Sequence, residues 1–299
     1  MIAVLVETLS SKGSDNLFVP ISVALITYIF TSATQSQINQ IFIGILLALI
    51  MIAISHYLKF LTTSGLVMTF LLAVTVFGLG GIKWTIPILT FFILSSVLSK
   101  IGKGTKEKFK DTFEKTGTRD YAQVLANGGI AGVIVIISFF NPKEYFYLFY
   151  LISLAVVNSD TWATEIGVFS KSKPRMITTF KKVEPGISGA ISFYGTIGAF
   201  LGSLTLIWSG IFFLSEFNLS LFFLLVISGF IGSLIDSFLG ATMQAQYICR
   251  ICEKYTEKKI HCSVDAHHYS GYKLLTNDLV NLSSAFLTII LFVFIYFPA

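Results

Sequence analysis

The sequence predicts an all-α fold: a polytopic membrane helix bundle with about nine transmembrane helices, forming a single integral-membrane domain over residues 1–299. Of the 299 residues, 54% are hydrophobic and only 12% are charged. The mean hydropathy is +0.79, and the 29 phenylalanines outnumber the 21 lysines and arginines. A soluble globule carries more charge than this on its surface, so a soluble enzyme is excluded. Disorder is excluded as well, because disordered chains are poor in aromatic and branched apolar residues.

Nine segments of the chain are long and apolar enough to be spans. An α-helix needs about 20 mostly apolar residues to cross a hydrocarbon core about 30 Å thick. The sixth segment is short and ends at Asn158, Ser159 and Asp160, so it is either a half-span or a partly buried helix that continues through Glu165. The nine predicted spans cover residues 17–34, 40–58, 65–81, 84–100, 121–140, 144–158, 187–210, 218–240 and 279–297.

The basic residues predict the orientation of these spans. Seven lie at positions 100–119, five at positions 171–182 and five at positions 250–273, which together hold 17 of the 21. With nine spans all three loops fall on one side, which the positive-inside rule makes cytoplasmic. We therefore expect a multi-pass protein of the cell membrane, with the N-terminus inside, the C-terminus outside and residues 241–278 in a cytoplasmic loop. Because the net charge of +5 is concentrated in these loops, we expect no nucleic-acid partner.

The first group of polar residues lies at the start of the fifth predicted span. Arg119, Gln123 and Asn127 follow one another at steps of four and would share one stripe of a helix. One interpretation is a solvated helix start next to Asp120. The other is a polar binding face, since Asn127 lies two turns into an apolar span, where an unpaired amide is costly.

Three acidic residues near the ends of predicted spans are candidate magnesium ligands. Asp160 and Glu165 are five positions apart, and two such carboxylates can share a cation. Asp236 lies inside an otherwise apolar span, where a charge usually faces a cavity and has a function. The alternatives are water-solvated acids at a helix end for the first two, and a buried pair with Lys or Arg for Asp236.

A basic loop followed by glycines is a candidate phosphate site. Its glycines, Gly186 and Gly189, flank Ser188 and allow backbone N–H groups to turn towards an anion near the start of the seventh span. The alternative is an ordinary positive-inside loop, followed by a packing face of the Gly198-x3-Gly202 type. The basic residues of the loop are Lys171, Lys173, Arg175, Lys181 and Lys182.

Two further clusters lie at the end of the chain. Asn277 and Asn281 are an i,i+4 pair at the start of the ninth span, and Asn281 is too far into it to be only a helix cap. In the preceding loop a Cys-x2-Cys pair, a third cysteine and a histidine could bind zinc, with free reduced thiols as the alternative. The candidate zinc ligands are Cys249, Cys252, Cys262 and His268.

Several motifs in combination carry a family resemblance over about residues 95–284. The chain resembles an integral-membrane family, labelled as a domain of unknown function, that includes the plant phytyl-phosphate kinase of vitamin E synthesis and an uncharacterised human transmembrane relative. The residues that carry the resemblance are Arg119, Gln123, Asn127 and Gly128; Asp160, Glu165 and Gly167; Ser170, Lys171, Pro174, Arg175, Ile177, Thr178 and Thr179; Gly186 and Gly189; Gly232, Asp236, Gly240 and Gln244; His268 and Gly271; Asn277 and Asn281.

The resemblance implies an enzyme that transfers a phosphoryl group from a nucleoside triphosphate, CTP or ATP, to a polyprenyl monophosphate of the phytyl or geranylgeranyl type. Such chemistry depends on metal ions and cations that hold an in-line geometry. Asp160, Glu165, Asp236 and Asp278 would then hold Mg²⁺, and Arg175 and Lys181 would act in catalysis. Substrate binding would involve Arg119, Gln123, Asn127, Lys171, Lys182, Gly186, Ser188, Gly189, Asn277 and Asn281.

Two other functions remain open at this point. A cytidylyltransferase that forms a CDP-lipid would use the same acids and metal but release pyrophosphate. A secondary transporter would show broken helices and polar groups near mid-bilayer in two repeated halves. The sequence has no convincing internal repeat, and its polar groups lie towards one membrane face, so we expect the enzyme.

Overall fold

The computed structural model describes residues 2–10, 13–106, 118–215 and 217–297 of the chain. Ten α-helices are described: α1 Ile2–Leu9, α2 Asp15–Ser32, α3 Gln35–Tyr57, α4 Thr63–Ala73, α5 Ile82–Lys106, α6 Tyr121–Phe140, α7 Glu144–Gly167, α8 Phe193–Ile211, α9 Leu219–Thr242 and α10 Asn277–Tyr296. A π-helical segment, Val74–Gly80, continues α4. Seven short strands lie in the loops: β1 Arg175–Met176, β2 Ala190–Ile191, β3 Gln246–Ile248, β4 Tyr255–Thr256, β5 Ile260–His261, β6 Val264–Asp265 and β7 His267–Ser270.

The prediction of an all-α, polytopic membrane bundle is confirmed. Within the described ranges, eight helices are long and apolar enough to cross a membrane. All eight overlap predicted spans, and most of their ends agree to within two residues; α3 begins earlier than predicted and α8 later. The eight helices are Asp15–Ser32, Gln35–Tyr57, Thr63–Gly80, Ile82–Gly102, Tyr121–Phe140, Phe193–Ile211, Leu219–Thr242 and Asn277–Tyr296.

The remaining predicted span corresponds to α7, which is long enough but less apolar than the other eight. It has 24 residues, about 36 Å at 1.5 Å per residue. Its side chains are almost all buried from Tyr147 to Ser159, because α8, α9 and α10 pack around it. A helix enclosed by protein can carry polar groups that lipid would exclude, provided they are hydrogen-bonded. Of the two interpretations of this segment, the helix that continues through Glu165 is confirmed and the half-span is wrong.

The chain forms two compact units. The first unit comprises Met1–Thr85 and Thr118–Lys143, and the second comprises Ile86–Gly117 and Glu144–Ala299. In the first unit α3 meets the π-helical segment so closely that a methyl group on Gly44 would lie 2.5 Å from the Gly78 nitrogen. The prediction of a single domain over residues 1–299 stays a prediction.

In the second unit a glycine face on α8 packs against α7. A methyl group on Gly198 would lie 2.8 Å from the Trp162 carbonyl oxygen, and one on Gly202 would lie 3.0 Å from the Asn158 carbonyl oxygen. Small residues on one helix face permit such close approach. These glycines therefore have the packing role that was one of the two interpretations of the sequence.

Candidate functional site

Helices α7, α9 and α10 of the second unit meet closely at Gly232 of α9. A methyl group on this glycine would lie 2.7 Å from the Thr288 hydroxyl oxygen of α10 and would overlap the Val156 side chain of α7. The contacts of Gly229 with Ala155 show that α7 and α9 run in the same direction. Because four residues make about one helical turn, the next turn along α7 and α9 brings residues 160 and 236 to one level.

At that level the structure brings two acidic side chains together. Asp236 is only 6% exposed, and the Ser284 hydroxyl of α10 donates a hydrogen bond of 2.9 Å to its carboxylate. The Asp160 carboxylate of α7 is close enough to Asp236 to interact with it electrostatically. Asp160 is half-buried, and two adjacent carboxylates that are shielded from water repel each other unless a proton or a cation lies between them. The pair is therefore a candidate cation site built from two helices.

Glu165 contacts a different helix. Its side chain is buried and accepts a hydrogen bond from the Ser99 hydroxyl of α5. Gly102, one turn further along α5, lies so close that a methyl group there would be 3.0 Å from a Glu165 oxygen. Residues five apart in a helix point about 140° from each other. The partner of Asp160 in the structure is Asp236, which corrects the prediction of an Asp160 and Glu165 pair based on their spacing.

Two polar residues next to Asp160 stabilise the packing of α7. The Asn158 side chain accepts a hydrogen bond of 3.1 Å from Ser95 of α5 and donates one of 2.7 Å to the Gly202 carbonyl of α8. The Ser159 hydroxyl donates one of 2.8 Å to the Ala199 carbonyl. Both side chains are fully buried, and their hydrogen bonds satisfy the polar atoms that burial would otherwise leave costly.

The basic loop folds into a hairpin built on β1 and β2. Arg175 pairs with Ile191 across the two strands and donates a hydrogen bond of 2.9 Å to the Phe180 carbonyl. Lys173 forms an exposed ion pair with Glu184. The three other lysines predicted to bind phosphate are exposed on this hairpin, where they can meet an anion; they are Lys171, Lys181 and Lys182.

The glycines that follow fix this hairpin to the end of α9. Gly186 and Gly189 have φ angles of +92° and +79°, which glycine adopts without strain. A methyl group on Gly189 would overlap Ala241, and the Ser188 hydroxyl donates a hydrogen bond of 2.7 Å to Gln244. The segment therefore lies about one turn beyond Asp236.

The start of α8 differs from the prediction. Residues 186–189 form a turn before β2, and the helix begins only at Phe193, with the Ser192 hydroxyl accepting a hydrogen bond from the Gly195 N–H. Strand β2 extends the chain after the glycines because it pairs with β1. The predicted start of the seventh span at residue 187 is thus wrong, and the first free N–H groups of α8 lie further along the chain.

The amide side chains of α10, Asn277 and Asn281, lie at the same end of the three helices as the acid pair. Helix α10 begins at Asn277, and Asn281 is one turn before Ser284, whose hydroxyl also donates to the Asn281 carbonyl. Asn277, Asp278 and Asn281 are half-buried. Because α10 runs antiparallel to α9, the first two turns of α10 lie beyond the acid pair, in the direction of the C-terminal end of α9.

The Arg119 group belongs to the first unit, and the predicted stripe is corrected there. Helix α6 begins at Tyr121, and Asp120 caps it: the Asp120 side chain accepts from the Gln123 N–H, and the Gln123 side chain accepts from the Asp120 N–H. Arg119 precedes the helix, and its backbone bonds with Phe60 and Thr62. Arg119 and Gln123 therefore form a helix start, and Asn127 is half-buried on α6.

The cysteines of the loop between α9 and α10 form a cluster with a histidine. The ligand atoms of Cys249, Cys252, His261 and Cys262 all lie within 4.8 Å of one another. The predicted histidine, His268, instead stacks edge-on against Tyr247, because β7 pairs with β3 and fixes it there. Neighbouring backbone N–H groups, that of Cys252 above all, lower the pKa of Cys249 to about 6, whereas desolvation and the adjacent sulfur atoms raise that of Cys262 to about 11.

The sequence comparisons decide the family. Residues 46–289, which include all the candidate residues above, match the family described as Integral membrane protein DUF92. The chain belongs to this family. The description of the family agrees with the eight spans of this chain, which is an integral, multi-pass membrane protein.

Several known proteins are similar to this chain over most of its length. Protein PGR of Arabidopsis thaliana is 34% identical over 85% of this chain and 95% of its own length. An uncharacterized membrane protein of Methanocaldococcus jannaschii is 31% identical over 72% of this chain and 88% of its own length. Protein VTE6, chloroplastic, also of Arabidopsis thaliana, is 25% identical over 74% of this chain and 61% of its own length. No solved structure matches the chain.

The structure adds residues of this DUF92 member that sequence reasoning missed. Ser284 supports Asp236 and Ser99 supports Glu165, but each looks like an ordinary serine in an apolar helix. Gln244, which carries the family resemblance but had no predicted role, accepts from Ser188 and donates a hydrogen bond of 2.8 Å to Glu257. The position of Ser284, three residues after Asn281, is the only signal that could have indicated its role.

Proposed function

We propose that this protein is a membrane-bound, nucleotide-dependent prenyl-phosphate kinase. It would transfer the γ-phosphoryl group of CTP or ATP to a polyprenyl monophosphate and release the nucleoside diphosphate and the prenyl diphosphate. The single observation that carries this proposal is a pair of carboxylates between helices, the buried Asp236 and the half-buried Asp160, next to a basic hairpin. The family resemblance, which includes plant phytyl-phosphate kinase, supports the same reaction class.

The donor set at the acid pair fits Mg²⁺. Magnesium in phosphoryl-transfer sites is held by one or two carboxylates together with the phosphates of the substrate. Asp160 and Asp236 supply two carboxylates, and the amide oxygens of Asn277 and Asn281 lie one to two turns away along α10. When bound, Mg²⁺ would neutralise charge on the phosphate oxygens. The Ser284 hydrogen bond holds the Asp236 carboxylate in place for this role.

The remaining groups of the second unit suit the two substrates. In the transfer, a phosphate oxygen of the lipid forms a bond to the γ-phosphorus as the bond to the β,γ-bridging oxygen breaks. The attacking oxygen is already anionic, so no general base is needed, and the cations serve to position the phosphates. Lys181, Lys182 and Lys171 are exposed on the hairpin that is fixed next to Asp236. The prenyl tail would lie along the apolar helix surfaces in the bilayer.

The positive-inside distribution of lysine and arginine supports a site on the cytoplasmic face of the cell membrane, where nucleotides are available. The acid pair, the hairpin and the loop between α9 and α10 lie at the same end of α9, which is consistent with one reaction site. Glu165, on the α5 side of α7, is a further buried acid of the same unit and would support the site by joining α5 to α7 through Ser99.

The test is an assay of the purified protein in lipid discs with phytyl or geranylgeranyl monophosphate. Each nucleotide is supplied with label at either the α or the γ position. We expect γ label in the prenyl product, strict dependence on Mg²⁺, and loss of product with EDTA. Label from only the α position would instead identify a cytidylyltransferase, and uptake of prenyl phosphate into sealed vesicles without transfer of label would identify a transporter. Either result overturns the kinase.

A further inference from the structure

The loop between α9 and α10 holds four side chains whose ligand atoms all lie within 4.8 Å of one another, and three of them are at the separations of a tetrahedral zinc site. With Zn–S about 2.3 Å and Zn–N about 2.05 Å, a tetrahedron separates two sulfurs by about 3.8 Å and a sulfur from a nitrogen by about 3.6 Å. In the structure the Cys252 and Cys262 sulfurs are 3.9 Å apart. The His261 Nδ1 atom is 3.6 Å from the Cys252 sulfur and 3.2 Å from the Cys262 sulfur.

The backbone around the four residues is shaped to aim them at one point. After Cys249 the chain turns so that the Ile251 N–H donates to its sulfur at 3.4 Å, and Glu253 adopts a φ of +56°. The β5–β6 hairpin turns at Cys262 and Ser263, whose φ angles are +50° and +61°. Residues other than glycine adopt this left-handed conformation only with strain, which a metal bond would offset.

The strands of the loop are too short to hold this arrangement by themselves. Four of the five have two or three residues, and β7 has four. Such small sheets are marginally stable in water without a further constraint. Few apolar side chains are buried among them, namely Ala245, Tyr247 and Cys249, so a hydrophobic core does not supply that constraint.

We propose that Cys249, Cys252, His261 and Cys262 bind one zinc ion as a closed, structural site. Four protein ligands complete the coordination, which leaves no open position for catalysis. A disulfide is the competing structure, but a bonded pair of sulfurs would be about 2.05 Å apart. All three cysteines are free in the structure.

The position of the cluster gives the ion a structural role towards the acid pair. Glu257 lies in the chain between Cys252 and the β5–β6 hairpin that contains Cys262. It accepts a hydrogen bond from Gln244, which in turn accepts one from Ser188. Ser188 lies in the glycine turn that contacts Gly240, one turn beyond Asp236. Zinc would thus fix the outer end of a chain of contacts that reaches the glycine turn. This role rests on the proposed function, whereas the zinc site itself does not.

The experiment measures metal content by mass spectrometry in protein purified without chelators. We expect about one zinc per chain, and a protein loaded with Co²⁺ should show thiolate-to-cobalt charge-transfer bands and the visible bands of a tetrahedral site. A thiol-specific reagent should modify three thiols per chain in the denatured, metal-free protein. No bound metal, or a mass two daltons lower from a disulfide, overturns the proposal.

The matched variants are His261→Ala and His268→Ala, which remove one imidazole from the same loop. His261→Ala and Cys252→Ser should lose at least about tenfold in zinc affinity, while His268→Ala keeps the wild-type stoichiometry. Zinc loss in His268→Ala but not in His261→Ala would overturn the ligand set. If Cys252→Ser fails to fold, the cobalt spectrum of the native chain and the zinc content of the two histidine variants still test the proposed ligands. After zinc removal, trypsin should cleave at the lysines of the loop faster than in the zinc-bound protein. Kinase activity is recorded separately, so that failure of the metal site is distinguished from failure of the proposed function.

Discussion

The acid pair between the membrane helices and the loops beyond them are organised by different forces. Asp160 and Asp236 are placed by the register of three long helices, which Gly232 fixes through contacts with Val156 and Thr288. The hairpin of residues 170–192 and the loop between α9 and α10 contain strands of two to four residues. They contain glycine turns, side-chain hydrogen bonds and a cluster of three cysteines and a histidine that we propose binds zinc.

This difference indicates which parts are fixed before a substrate binds. Burial in a close-packed helix bundle fixes a side chain without any ligand. Loops with little buried apolar surface open locally at low cost. We therefore expect the acid pair to be rigid and the loops to depend on the contacts that join them to α9.

The largest effect is expected at the acid pair. Asp236→Asn keeps the shape of the side chain but removes a charge that would hold Mg²⁺, so kcat in the γ-label assay should fall at least about 100-fold. Thermal stability should stay the same or rise, because one of two repelling charges is removed. Asp15→Asn, in the first turn of α2 in the other unit, is the control and should keep its activity. An active Asp236→Asn protein would remove this residue from the site.

A smaller effect is expected where the hairpin joins α9. Gly189→Ala puts a methyl group into Ala241 at a φ of +79°, so the turn must shift and activity should fall at least about tenfold, with the strain alone worth about 1 kcal/mol. Gly13→Ala is the matched control, since Gly13 has a φ of +84° but a methyl group there would meet Asn16 at an ordinary contact distance of 3.8 Å. Equal activity in both variants would show that the turn does not position the substrate.

Loss of the Ser284 hydroxyl, which supports the Asp236 carboxylate, should lower activity less than loss of the carboxylate charge. Ser284→Ala removes one hydrogen bond to a carboxylate, worth about 1.5 kcal/mol, so the rate should fall about tenfold. The Mg²⁺ concentration for half-maximal activity should rise in parallel. Ser228→Ala is the control, because its hydroxyl bonds only within α9 to the Leu224 carbonyl. An unchanged Mg²⁺ dependence would place Ser284 outside the metal site.

The smallest effect is expected at the surface of the hairpin. Lys173 and Glu184 form an ion pair whose side chains are 58% and 70% exposed. Solvent screens such pairs, so Glu184→Gln should change the unfolding free energy by less than about 0.5 kcal/mol. The melting temperature measured in the same detergent at low and high salt checks this. A drop of several degrees would mean that the ion pair, and not only the glycine turn, holds the hairpin together.

Much of the fold could be predicted because span length and hydropathy follow directly from bilayer thickness. The eight apolar spans agree with the described helices, and only α7 departs, since its burial by α8, α9 and α10 permits polar residues that hydropathy penalises. Spacing along one helix was a weaker guide. It paired Asp160 with Glu165, and it put Arg119 and Gln123 on a helix stripe where the structure has a cap.

The sequence by itself determined that this chain is a helical membrane protein and which residue types are rare enough in its spans to need a reason. The tertiary structure decided which of those residues meet: Asp160 with Asp236, Glu165 with Ser99, and His261 rather than His268 with the cysteines. Hydropathy is a local property, summed over about 20 neighbouring residues. Contacts between helices and across short strands depend on register, which glycine packing and backbone pairing set over long sequence separations.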